Sequence, residues 1–205
     1  MLRRAGSRGF TLVELMVGVA LIAIALGLGA PAMGTYLQNS KLASATQTYY
    51  SAVQMARAEA IHRNLAVEFV LTDTAVDTAD LANSLTPSVS GVNWAVRAAS
   101  DVSGAAYTLV EAKAGKEGTV DNNAPAPVQI SASGPSGFDG TISFNGFGGT
   151  SDSGAYSLDI SNSAAGACAA AGGSIRCKRI RITPGGQIQA CDPAASAADS
   201  RACSE

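Results

Sequence analysis

The sequence predicts an α+β protein in which a long N-terminal helix, membrane-spanning in its first part, packs on a small antiparallel β-sheet head. Three observations support this prediction. An apolar run lies near the N-terminus, a helical stripe of apolar residues follows it, and the remainder alternates short apolar segments with loops rich in Gly, Ser, Asn and Pro. Of the 205 residues, about 140 remain beyond the helix, a usual size for one domain.

The first element is a basic leader followed by a long apolar run. Residues 1–9 contain three arginines, and the run from Phe10 to Ala30 carries one charge. At roughly 1.5 Å per residue, this run spans about 31 Å as a helix, which is enough to cross a bilayer. Cleavage after Gly9 would remove the leader and keep the helix. Because the arginines precede the span, we expect a cytoplasmic N-terminus and a head on the opposite side.

Glu14 is the one charge within the apolar run. A carboxylate inside a membrane segment costs on the order of 2.5 to 3.5 kcal/mol, so it requires a partner of opposite charge. If the chain is cut before Phe10, the new α-amino group lies about one helical turn from Glu14 in the same chain, or at a similar depth in a neighbouring chain. The alternative is a carboxylate that only reaches back to the interface.

The junction Gly9-Phe10-Thr11-Leu12-Val13-Glu14 resembles the class III signal of type IV pilins and pseudopilins. This resemblance implies that a prepilin peptidase cleaves after Gly9 and methylates the amino group of Phe10. It also implies that Glu14 helps to dock the subunit into a growing filament. Pro31 is similar to the proline that pilins often carry at this distance from the mature N-terminus.

The second half of the long helix, residues 34–65, follows a transmembrane and filament-core part at 10–33. Its apolar positions recur at helical spacing on one face, which predicts an amphipathic helix that ends near Asn64 and packs on a sheet. These positions are Leu42, Ala45, Tyr49, Ala52, Val53, Ala56 and Ala60. A separate helix after a loop is the alternative, because glycines cluster around Pro31.

Within this helix, the segment from Gln54 to Asn64 and the following 66–69 resemble the GspH/FimT group of minor pilins and pseudopilins. Weaker likeness continues at Trp94, 142–146 and 180–188. The resemblance implies a non-catalytic subunit, anchored in the inner membrane with a periplasmic head, that is built into a type IV pilus or a type II secretion pseudopilus. The partners it implies are the prepilin peptidase, other minor and major pilins or pseudopilins, the inner-membrane assembly platform and membrane lipid. It does not discriminate between the two machines.

The head, residues 66–205, contains eight candidate strands in antiparallel order. The clearest turn is Pro184-Gly185-Gly186, because glycine adopts the positive φ that hairpin turns require. The candidate strands are Ala66–Leu71, Val92–Ala98, Tyr107–Val110, Val128–Ser131, Thr141–Phe144, Tyr156–Ile160, Ile175–Thr183 and Gln187–Ala190.

All four cysteines lie near the C-terminus, at 168, 177, 191 and 203. On the oxidising side of a membrane they are expected to form two disulfides. Three connectivities exist, and we favour Cys168–Cys177 with Cys191–Cys203, because each closes a short loop between sequence neighbours. A zinc site is the rival interpretation, but the sequence has no Cys-x-x-Cys pair, and its one histidine, His62, is distant.

Four cations fall within six positions at Arg176, Lys178, Arg179 and Arg181, with no acidic residue between Asp159 and Asp192. Such a stripe is a candidate contact for DNA phosphates, and strand alternation places Arg179 and Arg181 on one outward face. DNA uptake is therefore the alternative function, against a solvated strand face or a subunit interface. Relatives linked to DNA uptake resemble one another in a Gly-Arg-x-Arg phrase, whereas the corresponding segment here, residues 186–189, reads Gly-Gln-Ile-Gln.

Composition argues against other classes of function. Loss of the three leader arginines from 14 basic residues leaves 11 against 16 acidic ones, a formal charge of −5, so the whole protein is not a general polyanion binder. His62 has no nucleophile motif nearby, and Asp73, Asp77 and Asp80 lack the pattern of a calcium loop. We therefore predict no enzyme activity, no metal and no cofactor.

Overall fold

The structure, a computed structural model, describes residues 10–78, 80–100, 107–115 and 128–203, with the backbone alone at 25, 26, 28–32 and 163. The leader, and Gly9 with it, lies outside the described residues. The α+β class is confirmed. The elements are α1 (Leu12–Arg63), β1 (Val67–Thr72), α2 (Leu81–Ser84), β2 (Asn93–Ala98), β3 (Thr108–Lys113), β4 (Gln129–Ser133), β5 (Thr141–Phe144), β6 (Tyr156–Ser161), 3-10 helices at Ser163–Ala165 and Ala169–Ala171, β7 (Lys178–Ile182) and β8 (Ile188–Cys191).

The chain divides into two compact units, Met1–Leu37 and Gln38–Glu205. Helix α1 runs as one element of 52 residues and contributes to both. Among the residues whose side chains are described, no helix combines the length and apolar character that a membrane span requires.

In the second unit, α1 supplies one wall of the hydrophobic core. The predicted stripe is confirmed: Leu42, Tyr49, Ala52, Val53, Ala56 and Ala60 are buried, and Ala45 is partly buried against the same core. The opposing walls come from both sheets. The strand residues in the same core include Phe69, Val96, Ile142, Phe144, Leu158, Ile180 and Ile182.

The eight described strands form two antiparallel sheets of four strands each. The first has the order β3-β2-β1-β5 and the second has the order β4-β6-β7-β8. In the second sheet, every other residue faces the core, so that β6 buries Tyr156, Leu158 and Ile160. This half-buried alternation is typical of antiparallel sheets with one solvated face.

The first sheet is covered on its second face as well. Val70 of β1 and Ala95 of β2 pack with Leu81 of α2 and with Leu85, which together form a smaller separate core. This arrangement explains why β1 reads as a nearly continuous apolar run, since both of its faces are buried.

Two disulfides and a tight hairpin organise the C-terminal region. Cys168 is bonded to Cys177 and Cys191 to Cys203, with Cα–Cα distances of 5.4 and 5.0 Å. Strands β7 and β8 are joined at the predicted turn, where Gly186 has a φ of 77°. The second disulfide ties the residues after β8 back to the end of that strand.

Candidate functional site

The N-terminus of α1 is capped by a side chain of its own segment. Thr11 precedes the first helical residue, and the backbone N–H of Glu14 donates a hydrogen bond to its Oγ1 at 3.2 Å. This bond satisfies one of the N–H groups that a helix leaves unpaired at its start. Threonine three residues before glutamate is the sequence pattern of a helix start, and it was the signal that could have identified this role. The helix therefore begins two residues after Phe10, whose side chain is 83% exposed.

Glu14 is exposed in the first turn of this helix. The unpaired N–H groups and aligned peptide dipoles make a helix N-terminus favourable for a negative charge. The structure thus holds a carboxylate at the start of an apolar helix, two residues into its first turn, where an incoming cation can reach it.

The exposed side chains of the N-terminal part of α1 are apolar around the whole helix. At 3.6 residues per turn, Leu12, Val13, Leu21 and Ile22 lie on four different sides of the helix, which is typical of a helix that is covered by membrane or by other helices. Among the described residues of the segment 10–37, the large apolar side chains that are at least half exposed are Phe10, Leu12, Val13, Leu15, Met16, Val17, Val19, Leu21, Ile22, Ile24, Met33, Tyr36 and Leu37. Such an extent of apolar surface indicates an interaction site.

Farther along α1, Arg57 connects the helix to both sheets. Its Nε donates a hydrogen bond of 2.9 Å to the carbonyl oxygen of Gly148, in the loop after β5. That loop packs closely against Gly186 in the β7–β8 turn. There is no room for a side chain at this glycine, since a Cβ on it would lie 1.8 Å from the Gly148 oxygen and 2.9 Å from the Arg57 Nε. A second bond, 2.9 Å from the Thr150 N–H to the Pro184 oxygen, joins the same two segments. This role of Arg57 was not predicted from the sequence.

The end of α1 explains the rest of the segment that carries the GspH/FimT resemblance. Glu59 and Arg63 form an ion pair of 2.6 Å, one turn apart on the exposed surface. Asn64 then adopts a left-handed conformation with a φ of 51°, which is a common way to end a helix. Gly146 lies close beside it, since a Cβ there would lie 2.4 Å from the Asn64 Oδ1. These residues therefore shape the junction between helix and sheet.

The predicted basic stripe is not one continuous face. Ile180 and Ile182 are buried in the core, and the side chain of Lys178 lies on the same side of β7. Arg179 and Arg181 lie on the opposite, outward side, as alternation predicts. The structure therefore separates Lys178 from these two arginines.

Two carboxylates neutralise much of this charge. Asp159 of β6, which is directly opposite Arg179, accepts hydrogen bonds of 2.7 and 3.1 Å from its guanidinium. Asp192, which is 1% exposed, accepts bonds from Lys178 at 3.0 Å and from Arg176 at 3.2 Å. Neither partner was predicted from the sequence. They are the two acidic residues that border the acid-free stretch, and their position was itself the signal.

The pKa of Asp192 reflects this environment. Burial of the carboxyl group opposes its ionisation, but hydrogen bonds from Lys178, from the N–H of Ala194 and from Arg176 outweigh burial and lower the pKa below its ordinary value. Asp192 is therefore ionised at neutral pH and balances the two cations next to it.

A groove of about 390 Å³ lies between α1 and the end of β8. One wall is formed by the helix and the other by β8, Lys178 and the tail that follows β8. The lining residues are Ala43, Thr46, Gln47, Tyr50, Lys178, Ala190, Cys191, Asp192 and Arg201. Small side chains at Ala43 and Ala190 leave this space open.

The remaining candidates lie apart from these surfaces. His62 is exposed on the last turn of α1, and Asp73, Asp77 and Asp80 lie in or beside the loop before α2. Within residues 10–78, 80–100, 107–115 and 128–203, no group of three His, Cys, Asp or Glu side chains is placed to hold a metal ion.

Comparison with protein families identifies two matching segments. The prokaryotic N-terminal methylation motif matches residues 4–30. The family model described as type II transport protein GspH matches residues 45–186. No curated protein matches the chain.

Among solved structures, the chain is similar to the type IV minor pilin FimU of Pseudomonas aeruginosa, with 17% sequence identity and a TM-score of 0.46 over 75% of this chain and 90% of that one. It is also similar to the minor pseudopilin EpsH from the type 2 secretion system of Vibrio cholerae. There the identity is 9% and the TM-score 0.46, over 76% of this chain and 99% of that one.

Proposed function

The chain belongs to the GspH family of type II transport proteins, and from this premise we propose that it is a minor pilin or an H-type pseudopilin. The family is one of structural components with a non-catalytic role in the assembly of a type IV pilus or a type II secretion system, and the N-terminal motif implies membrane anchoring. The observation that carries the proposal is the order of the two matches, with a methylation motif at 4–30 and a GspH domain at 45–186 on one chain.

The first step we propose is processing by a prepilin peptidase, which cleaves after Gly9 and methylates the amino group of Phe10. The position of the helix start supports this step. Because Thr11 caps α1 and Leu12 is its first residue, Phe10, which follows the bond to be cut, lies outside the helix. Phe10 is exposed and is accessible to the enzyme.

The second step is docking through Glu14. The new amino group of Phe10 is positive and lies beside the helix N-terminus, which favours negative charge, so it gains from a carboxylate partner. Glu14 of a neighbouring subunit supplies that partner at a similar depth. Pairing removes two uncompensated charges from an apolar environment, where one carboxylate alone costs about 2.5 to 3.5 kcal/mol.

The third step is helix packing. The exposed apolar side chains of the segment 10–37 pass from lipid to contact with the helices of other subunits, and these contacts keep them away from water. We place the N-terminus in the cytoplasm and the head in the periplasm, because the leader carries three arginines. The partners are other pilins or pseudopilins and the inner-membrane assembly platform.

Substitution of Glu14 by Ala or Gln tests this function. We expect the variant to be processed and retained in the membrane but absent from sheared filaments, because the amino group of its neighbour lacks a counter-charge. Glu111→Ala, which removes an exposed carboxylate from β3, is the matched control and should be incorporated normally. Normal incorporation of the Glu14 variants would contradict the mechanism, and a wild-type chain that is never trimmed would contradict the proposed class of protein.

A further inference from the structure

Strand β8 lies at the edge of the second sheet, and among the described strands it pairs with β7 alone. The hairpin turn sets which of its backbone groups face outward. The N–H of Thr183 donates to the oxygen of Gln187 at 3.0 Å, so these two form a hydrogen-bonded pair. In an antiparallel ladder such pairs alternate with non-bonded ones. Ile188 and Ala190 therefore direct their N–H and C=O groups away from the sheet.

Two other outward-facing backbone groups are covered by the chain itself. The oxygen of Ser143, on edge strand β5, accepts a bond of 2.9 Å from the N–H of Ser151. Just after β8, the N–H of Asp192 donates at 2.7 Å to the oxygen of Arg201 in the tail. For the two outward-facing residues of β8, the described part of the chain provides no hydrogen bond of this kind. Unpaired edge groups are a template for an added strand.

The groove beside this edge has room for such a strand. It occupies about 390 Å³ between α1 and β8, and its walls at Ala43 and Ala190 are small side chains. Two cations line it. Lys178 uses one hydrogen bond for Asp192 and keeps further donors, and Arg201, whose side chain is 65% exposed, has donors beyond those that bind Asp199.

We propose that the β8 edge and this groove receive an extended, carboxylate-bearing segment of a second filament subunit, which adds as a fifth strand to the second sheet. The outward N–H and C=O groups of Ile188 and Ala190 supply the backbone hydrogen bonds, and Lys178 and Arg201 contact the carboxylate. Backbone pairing gives such complexes affinity, and the groove gives them specificity. This inference rests on the proposed function, because it takes its partner from the same filament.

The test uses Ala190→Pro in the full-length chain in detergent. Proline removes the outward N–H and leaves the hydrogen bonds to β7 intact, since proline is tolerated on edge strands when its nitrogen faces outward. Ala190→Val is the matched control, because it adds a similar volume and keeps the N–H. Each full-length pilin or pseudopilin of the same filament is titrated against the wild-type chain, Ala190→Pro and Ala190→Val. Amide hydrogen exchange of these three proteins is measured with and without the added subunit.

We expect one subunit to slow exchange of the Ile188 and Ala190 amides in the wild-type chain. Ala190→Pro should weaken its binding at least about tenfold, and Ala190→Val by no more than about threefold. Unchanged disulfides and thermal midpoint establish that the proline variant is folded. Three results would each overturn the inference: no binding by any subunit, binding that leaves these amides unprotected, or equal loss in both variants. If Ala190→Pro still assembles in a way that depends on Glu14, the inference fails but the proposed function stands.

Discussion

Substitution of Asp192 by Asn tests the charge cluster that follows β8. The carboxylate is 1% exposed and accepts hydrogen bonds from Lys178, Arg176 and the N–H of Ala194. Asparagine has nearly the same shape but no charge, so the two cations lose their counter-ion without a change in packing. We expect the variant to be less stable than the wild-type chain.

The size of the effect follows from how buried each partner is. Lys178 is the more buried cation, with 25% of its side chain exposed, so its bond to Asp192 counts as a charged hydrogen bond, worth about 1.5 to 3 kcal/mol. Arg176 is 53% exposed, and solvent reduces its pair to about 0 to 1 kcal/mol. A loss of about 2 to 3 kcal/mol lowers the thermal midpoint of a protein of this size by roughly 4 to 12 °C.

The same pair makes stability depend on pH. Since folding lowers the pKa of Asp192, its contribution is fully present above the ordinary pKa near 3.8 and is lost as the pH falls through the lower folded-state pKa. The wild-type chain should therefore lose more stability than Asp192→Asn over that acidic range, and the two should converge at low pH.

The assay is thermal unfolding of the full-length, oxidised chain in detergent, followed by circular dichroism at several pH values. Asp199→Asn is the matched control. Asp199 bonds to the exposed Arg201 in the same tail, and its loss should leave the midpoint unchanged. A shift of less than about 1 °C in Asp192→Asn would refute the reasoning, as would an equal shift in both variants.

Two further predictions concern the hairpin turn and the basic strand. Gly186→Ala should destabilise the protein by more than about 1 kcal/mol in a denaturant titration, because φ at this residue is +77° and the new Cβ would overlap the Gly148 oxygen. Gly185→Ala places its Cβ in open space and should leave the free energy of unfolding nearly unchanged in the same titration. Double-stranded DNA should show no salt-sensitive binding to the full-length chain at low ionic strength, because Arg179 is engaged by a carboxylate. A shift that disappears when Arg179 and Arg181 are changed to Gln would contradict this second expectation.

Local patterns predicted much of the secondary structure. The stripe on α1 identified its buried face, and Thr141–Phe144 was predicted with the bounds that the structure shows. Other strands begin or end at residues that differ from the predicted ones, because pairing with a neighbouring strand determines these bounds. Strand β3 runs on to Lys113 rather than ending at Val110, since it follows β2 past a register shift. Strand β7 begins at Lys178 and not at Ile175, because Ile175 instead bridges to Cys168 in the preceding loop.

The residues of the candidate site also differ in whether the sequence alone predicts their role. Thr11, Phe10 and Glu14 lie within one short segment, so their chemistry could be inferred from adjacent residues. The acidic partners of the basic residues border the acid-free stretch, but which cation each one binds could not be inferred, because the paired residues are 14 to 20 positions apart. Asp159 meets Arg179 only through the pairing of β6 with β7.

The sequence was thus sufficient for the helix, its buried stripe, the hairpin turn and the N-terminal signal, all of which depend on the periodicity or chemistry of nearby residues. Tertiary packing was needed for the division of the strands into two sheets, the carboxylates that neutralise the basic strand, the open edge of β8 and the contact of Arg57 with Gly148, 91 residues away. The physical reason is that strand pairing and salt bridges join residues distant in sequence, and their choice of partner depends on the assembled core.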